Sequence, residues 1–158
     1  MDIEITEATA VEAALVHHVM QAAFAQYSQD CFPAFAAHHE SVDDVAAAMR
    51  QGGAALAWLW GEAVGSARYR LQSEHFIIER VSVLPEYQGR GIAGAMMSYL
   101  ETVAASYGYS HVELMTRQSL TKNIALYQRL GYELMETDSA TGRVWMTKRL
   151  EEDTLVLV

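Results

Sequence analysis

One cysteine, two prolines and eleven basic residues in 158 are what this chain has least of, and each scarcity excludes something. Cys31 has no second thiol in the sequence, so no intrachain disulfide staples the fold, and a reducing compartment suits it. It reads as a small buried apolar residue rather than a nucleophile. Ser/Gly-rich stretches and internal repeats are missing too, so nothing marks a linker, and the length suits one domain of roughly 100 to 200 residues. Basic residues are outnumbered by twenty acidic ones, and the formal charge of −9 opposes attraction to nucleic acid or anionic lipid and suits a cationic partner. No run approaches the ~18 apolar residues of a membrane span, and the acidic start Met1-Asp2-Ile3-Glu4-Ile5 is unlike a secretion signal. A soluble, cytoplasmic protein is the expectation.

What is present is ordinary globular composition, 51% hydrophobic and 20% charged, arranged in clear periods. Ile3 and Ile5 alternate with polar residues as in a half-buried strand, and Leu15, Val19, Ala22 and Ala23 recur at helical spacing between Val11 and Tyr27. Ser41 is placed to cap a helix running through Val45 and Met49, with Gly52-Gly53 as its stop. Residues 54–60 and 63–73 read as a hairpin turning at Gly61-Glu62, and Phe76 to Leu84 as a nearly continuous apolar, buried strand. Beyond it follow a helix over 91–107, a strand over 111–116, a short helix over 121–130, and strands near 132–137 and 143–150. The order β-α-α-β-β-β-α-β-α-β-β predicts a single α/β domain: a mixed sheet with helices packed on it.

The connection Pro85 to Gly94 carries the chemistry. It links a buried strand to a helix, and glycines at 89 and 91 let the backbone approach a ligand and turn N–H groups toward one point. With the positive end of a helix dipole beside them, a phosphate or pyrophosphate is the natural occupant. Gly89, Gly91 and Gly94 also satisfy G-x-G-x-x-G, with Glu113 about where a ribose-binding acid lies, so a Rossmann-type dinucleotide site is a second reading. Against it, Pro85 to Gln88 separate the glycines from the strand end, and one βαβ unit is visible where several belong.

Gln88-Gly89-Arg90-Gly91-Ile92-Ala93, preceded by Val81-Ser82-Val83-Leu84-Pro85-Glu86-Tyr87, resembles the signature loop of the GNAT superfamily of acyl-CoA-dependent N-acetyltransferases. Asn123-Ile124-Ala125-Leu126-Tyr127, followed by Gly131-Tyr132, is similar to the family's Tyr-x-x-x-Gly-Phe/Tyr helix end, though Asn123 stands closer to Tyr127 than the corresponding Asn does in many members. The resemblance implies a GNAT domain over 1–150 and a tail at 151–158. Its sheet is largely antiparallel, splayed between two parallel strands, and flanked by about four helices. It implies acetyl-CoA as cosubstrate, its pyrophosphate on the 88–93 backbone, its pantetheine arm along Val81 and Val83, and Asn123 as a further contact. It implies direct transfer of the acetyl group to a primary amine, small molecule or peptide, in a ternary complex. A non-catalytic acyl-CoA-binding regulatory module is the other class of answer.

Two residues are candidates for the chemistry. Glu79 interrupts an apolar strand, where a carboxylate is either a general base, the role the resemblance implies, or one member of an ion pair with Arg68 or Arg117. Strand alternation sends Arg80 to the opposite face from Glu79. Tyr127, one helical turn beyond Asn123, is by resemblance the general acid that protonates the departing thiolate; the alternative is a core tyrosine. Tyr27, Phe32, Phe35 and His38 fall where the family builds its acceptor pocket, or they anchor a loop. The six histidines include His17-His18 and His38-His39, but no Cys or carboxylate completes a ligand spacing, so no metal is expected. Leu155 to Val158 reads as a strand across a homodimer interface or as a frayed tail.

Overall fold

The computed structural model describes residues 2–27 and 36–151. Cys31, Phe32 and Phe35, and the tail from 152 onward, lie outside the described residues. The elements follow the expected order: β1 (Ile3–Glu7), α1 (Ala13–Phe24), α2 (Val42–Met49), β2 (Gly52–Leu59), β3 (Glu62–Leu71), β4 (Phe76–Val83), α3 (Ile92–Ser106), β5 (His111–Arg117), α4 (Thr121–Arg129), β6 (Glu133–Asp138) and β7 (Arg143–Arg149). Short 3-10 turns precede α1, α2 and α3. Ser41 caps α2 as expected: its hydroxyl accepts from the Asp44 N–H at 3.1 Å while the Asp44 carboxylate accepts from the Ser41 N–H at 2.9 Å. Gly52 and Gly53, read as a helix stop, instead open β2. A Cβ at Gly52 would overlap the Tyr69 carbonyl, so glycine there serves a close strand approach.

The seven strands form one sheet in the order β1-β2-β3-β4-β5-β7-β6. Every neighbouring pair is antiparallel except β4 and β5. That parallel pair is short: Phe76, Ile77 and Ile78 face Val112, Glu113 and Leu114, and the pairing stops there. Beyond Ile78 and Leu114 the two strands part, opening a cleft toward the start of α3. With one parallel pair among the described strands, the sheet is not the parallel, doubly wound sheet a Rossmann site requires. Glu113 is engaged instead with the His75 ring, Nδ1 to Oε2 2.9 Å.

Both faces of the sheet are covered, which is why β2 is apolar throughout rather than alternating. Ala55, Ala57 and Leu59 of β2 join the larger core with Met96 and Leu100 of α3, while Ala54 and Leu56 turn to Val16 and Met20 of α1 and Val45 of α2. No helix among the described residues is long and apolar enough to cross a membrane.

Candidate active site

The cleft, walled by β4, the start of α3 and α4, is floored by the glycine loop. Gly89 and Gly91 have φ of 79° and 83°, the left-handed region that glycine enters at little cost, and a Cβ at either would meet nothing within 4 Å. Nothing packs these positions, so glycine is there for backbone shape. Gly91 is the N-cap of α3 and has no side chain to satisfy the N–H groups of the first turn. The loop and helix end thus form an anion cradle at one wall of a cleft of about 450 Å³.

Of the residues predicted to hold the cofactor, Gln88, Gly89, Gly91, Ile92 and Ala93 line this cleft, together with Val81, Val83 and Asn123. Arg90 does not; its guanidinium lies over the Tyr87 ring, 5.3 Å from the centroid. Gln88 reaches back across the loop and donates to the Val83 carbonyl at 3.1 Å. Lys122 and Arg129 of α4 line the cleft as well and were not singled out from sequence. Their signal was there: 122, 126 and 129 share one helix face with Tyr127 beside it.

A second, smaller cavity of about 80 Å³ adjoins the cleft. Phe24, Val81, Asn123 and Tyr127 line both. Tyr127 therefore stands at the junction, buried, with its ring edge-on to Tyr132 at 6.2 Å between centroids. Burial, with the nearby Tyr27 adding to it, pushes its phenol well above the usual tyrosine range, so it stays protonated.

Glu79 and Arg80 are arranged by a bulge. Ser66 pairs with Ser82 but Arg68 pairs with Glu79, so β4 carries one extra residue, and Arg80 takes the strained φ of 55°. The bulge overturns the alternation expected of Arg80. Its Nε donates to Glu40 at 3.0 Å, and the same carboxylate accepts two bonds from Arg68, at 3.1 and 2.9 Å. Arg68 in turn lies 3.7 Å from Glu79, whose Oε1 is 3.3 Å from Arg70 Nε. Arg80 so joins the cluster that holds Glu79. Of the two ion-pair partners expected for Glu79, Arg68 is present, and Arg70 was overlooked. Glu79 lines neither cavity, whereas Arg80 lines the smaller one.

Glu40 was missed altogether. It follows a 3-10 turn whose backbone is clamped to α1, with Gln21 Nε2 donating to the Ala37 carbonyl at 2.6 Å and the His17 ring 2.8 Å from the Glu40 carbonyl. Burial opposes ionisation of Glu40, but hydrogen bonds and charge from Arg68 and Arg80 outweigh it and hold its carboxyl below the usual range. His38 sits edge-on to Phe24, ring centroids 6.5 Å apart. No group of three metal-ligating side chains occurs among the described residues.

The chain has relatives in sequence and in fold. An acetyltransferase of Sodalis glossinidius is 34% identical over 93 residues, and one of Pectobacterium atrosepticum 32% over the same length. Each match covers 59% of this chain and spans 62% of the relative's length. The fold superposes on the PaiA N-acetyltransferase of Thermoplasma acidophilum, solved with coenzyme A, with a TM-score of 0.80 at 14% identity, covering 95% of this chain and all of that one. It also superposes on the ribosomal-protein-S18-alanine N-acetyltransferase of Escherichia coli, with a TM-score of 0.76 at 18% identity over 95% of both chains. At such identities these two speak for the fold alone. The sequence model of the acetyltransferase (GNAT) family matches residues 13–132, the stretch that holds the splayed strands, the glycine loop and Tyr127. The chain belongs to the acetyltransferase (GNAT) family.

Proposed function

We propose that the protein transfers an acetyl group from acetyl-CoA to a primary amine by direct attack, with both substrates bound together. The observation that carries this is the junction of two cavities at Tyr127, one of them floored by the glycine loop; the other is read as the acceptor's. Acetyl-CoA supplies the acetyl group as a thioester: the amine nitrogen forms the new C–N bond, the C–S bond breaks, the nitrogen sheds a proton and the sulfur ends with one. The Gln88–Ala93 backbone and the N-terminus of α3 hold the pyrophosphate, with Lys122 and Arg129 adding positive charge. Val81 and Val83 offer main-chain groups to the pantetheine arm, and Asn123 a side-chain contact beside it.

Tyr127 donates a hydrogen bond to the sulfur. An ordinary thiol, with a pKa of about 8.5, is a stronger acid than this buried phenol, so stabilising the thiolate by hydrogen bonding suits Tyr127 better than giving up its proton outright. Glu79, engaged by Arg68 and Arg70 and lining neither cavity, is assigned the ion-pair role. An amine with the pKa of an α-amino group, about 8, needs no dedicated base at mildly alkaline pH.

The test is release of free thiol from acetyl-CoA across a panel of amines, beside calorimetric titration of CoA and NAD. Amine-dependent thiol release is expected. CoA binding with no release for any amine overturns the transferase reading in favour of a binding module, and NAD binding in place of CoA overturns both.

A further inference from the structure

We infer that Tyr132 and the Glu101–Lys148 pair position Tyr127: an ion-paired carboxylate anchors the Tyr132 phenol, and the Tyr132 ring fixes the orientation of the Tyr127 ring at the cofactor's sulfur. The inference rests on the reading above that Tyr127 donates to that sulfur.

A hydroxyl that must donate to a ligand cannot also serve to hold itself in place. The Tyr127 hydroxyl stands at the junction of the two cavities with no hydrogen-bond partner among the described residues. Its aim is set by its backbone and by what packs on its ring, and both lead to Tyr132. The end of α4 is a Schellman motif: the Gly131 N–H, at φ 99°, donates to the Gln128 carbonyl at 3.1 Å, and the Tyr132 N–H donates to the Tyr127 carbonyl at 2.9 Å. The two residues so joined also meet through their rings, edge to face, with 67° between the planes. Such a pair is directional.

Tyr132 is itself held from outside α4. It is buried, and its phenol donates to Glu101 Oε2 at 2.8 Å, while the other oxygen, Oε1, accepts from Lys148 Nζ at 3.0 Å. Lys148 Nζ also lies 5.8 Å from the Tyr132 ring centroid, and its stem crosses the end of α4, where a Cβ on Gly131 would come within 3.3 Å of Cε. One ammonium thus neutralises the carboxylate, faces the ring and sits by the negative end of the helix. Burial, with the Glu101 charge adding to it, pushes the Tyr132 phenol well above the usual tyrosine range, so it stays protonated and remains a donor.

The place of the anchor in the fold gives it its consequence. Glu101 belongs to α3, the helix whose first turn forms the anion cradle, and Lys148 belongs to β7. Sulfur and pyrophosphate are two points on one cofactor, so a phenol aimed at the first must keep its place relative to the helix that holds the second. The Tyr132–Glu101 bond ties the end of α4 to that helix. Tyr132 and Glu101 are then positioning residues, acting through Tyr127.

The experiment needs CoA as its only ligand. A phenol donating to the sulfur stabilises the thiolate, so the thiol pKa of bound CoA, followed by the ultraviolet absorbance of the thiolate, reports the aim of Tyr127. Tyr127→Phe should raise that pKa by about 1, a tenfold change in acidity, and Tyr132→Phe, which removes the anchored hydroxyl and keeps the ring, should raise it by roughly half as much or more. In the Tyr127→Phe background, Tyr132→Phe should add nothing, because its effect runs through Tyr127. Glu101→Gln, whose amide oxygen still accepts from the Tyr132 phenol, should keep more of the parent value than Glu101→Ala, and unchanged CoA affinity at neutral pH shows that each variant is folded. An unchanged thiol pKa in Tyr132→Phe, or an equal shift with and without the Tyr127 hydroxyl, overturns the inference and leaves Tyr127 in its role. Lost CoA affinity in place of the shift marks a packing role and overturns it too. A thiol pKa that Tyr127→Phe itself does not move overturns the reading of Tyr127 and the inference with it.

Discussion

Tyr127, buried, and Glu40, half-buried, have opposite tasks, and each is tested by one substitution. Tyr127→Phe keeps the ring that packs against Tyr132 and removes only the hydroxyl, so CoA affinity should change little while kcat falls about 100-fold, the lower end of what proton and hydrogen-bond donors contribute. Equal losses in kcat and CoA affinity would show a packing role instead. Because burial raises its pKa, the phenol remains a donor through and beyond pH ~10, the ordinary tyrosine value, and kcat at saturating amine should show no alkaline decline up to that point. Glu40→Gln leaves Arg68, 3% exposed, and Arg80 sharing a neutral amide, and should cost about 3 kcal/mol in urea unfolding, the usual penalty for stranding a buried charge. Glu79→Gln removes a carboxylate outside both cavities and should lower kcat by less than about 3-fold; a loss of ~100-fold in a folded variant would restore it as a base. From sequence, Tyr127 was readable because its helix spacing and the glycine after it are local. Glu40 was not, because its partners lie 28 and 40 residues away.

At the scale of elements, the loop entering α3 and the bulge in β4 both rely on backbone that an ordinary strand or helix does not use. Gly91→Ala puts a Cβ into open space but at φ 83°, so its cost is conformational, about 1–2 kcal/mol, with no clash to relieve. The same substitution should weaken CoA binding on calorimetry, since the N–H groups of the first turn lose their common aim; unchanged affinity would place the pyrophosphate elsewhere. The loop's shape was legible because glycines at a strand-to-helix junction mark backbone that other residues enter only at a cost. The bulge was hidden. Nothing in Glu79-Arg80-Val81 marks an extra residue, and only the pairing of Ser66 with Ser82 and Arg68 with Glu79 discloses it. Its consequence is large, since it carries Arg80 into both the Glu40 cluster and the cavity wall.

For the whole molecule, charge is the property most changed by folding. A formal −9 describes the chain's average, and the fold brings Arg80, Arg117 and Arg143 to one small cavity, with Glu40 ion-paired to Arg80 at its edge. That pairing shapes stability in acid. Glu40 has a depressed folded pKa, so its contribution is complete above the ordinary carboxylate value of about 4.5 and is lost as pH falls through the lower folded value. Glu7 acts in the opposite sense: burial raises its pKa despite hydrogen bonds from Tyr69 and the Ala54 N–H, so its contribution favours low pH and fades as pH rises through the raised value. Urea titrations of the parent and Glu40→Gln should therefore converge as pH drops below about 4.5 and stay apart at neutrality; a constant gap would mean the carboxylate's charge is not what stabilises the cluster.

What the sequence determined by itself was everything set by near neighbours along the chain: the periods of strand and helix, the Ser41 cap, the glycine loop and the Asn123–Tyr127 helix face. These suffice for the element order and for the backbone shape of the loop proposed to hold the pyrophosphate, because a few glycines dictate that shape. The tertiary structure alone decided the rest. Where β4 and β5 part, which positions face each other across β5 and β7, and that Glu40 bridges Arg68 and Arg80 all depend on register and on contacts distant in sequence. A one-residue bulge shifts such contacts without altering any local pattern, so charge pairing in this sheet is a property of the fold.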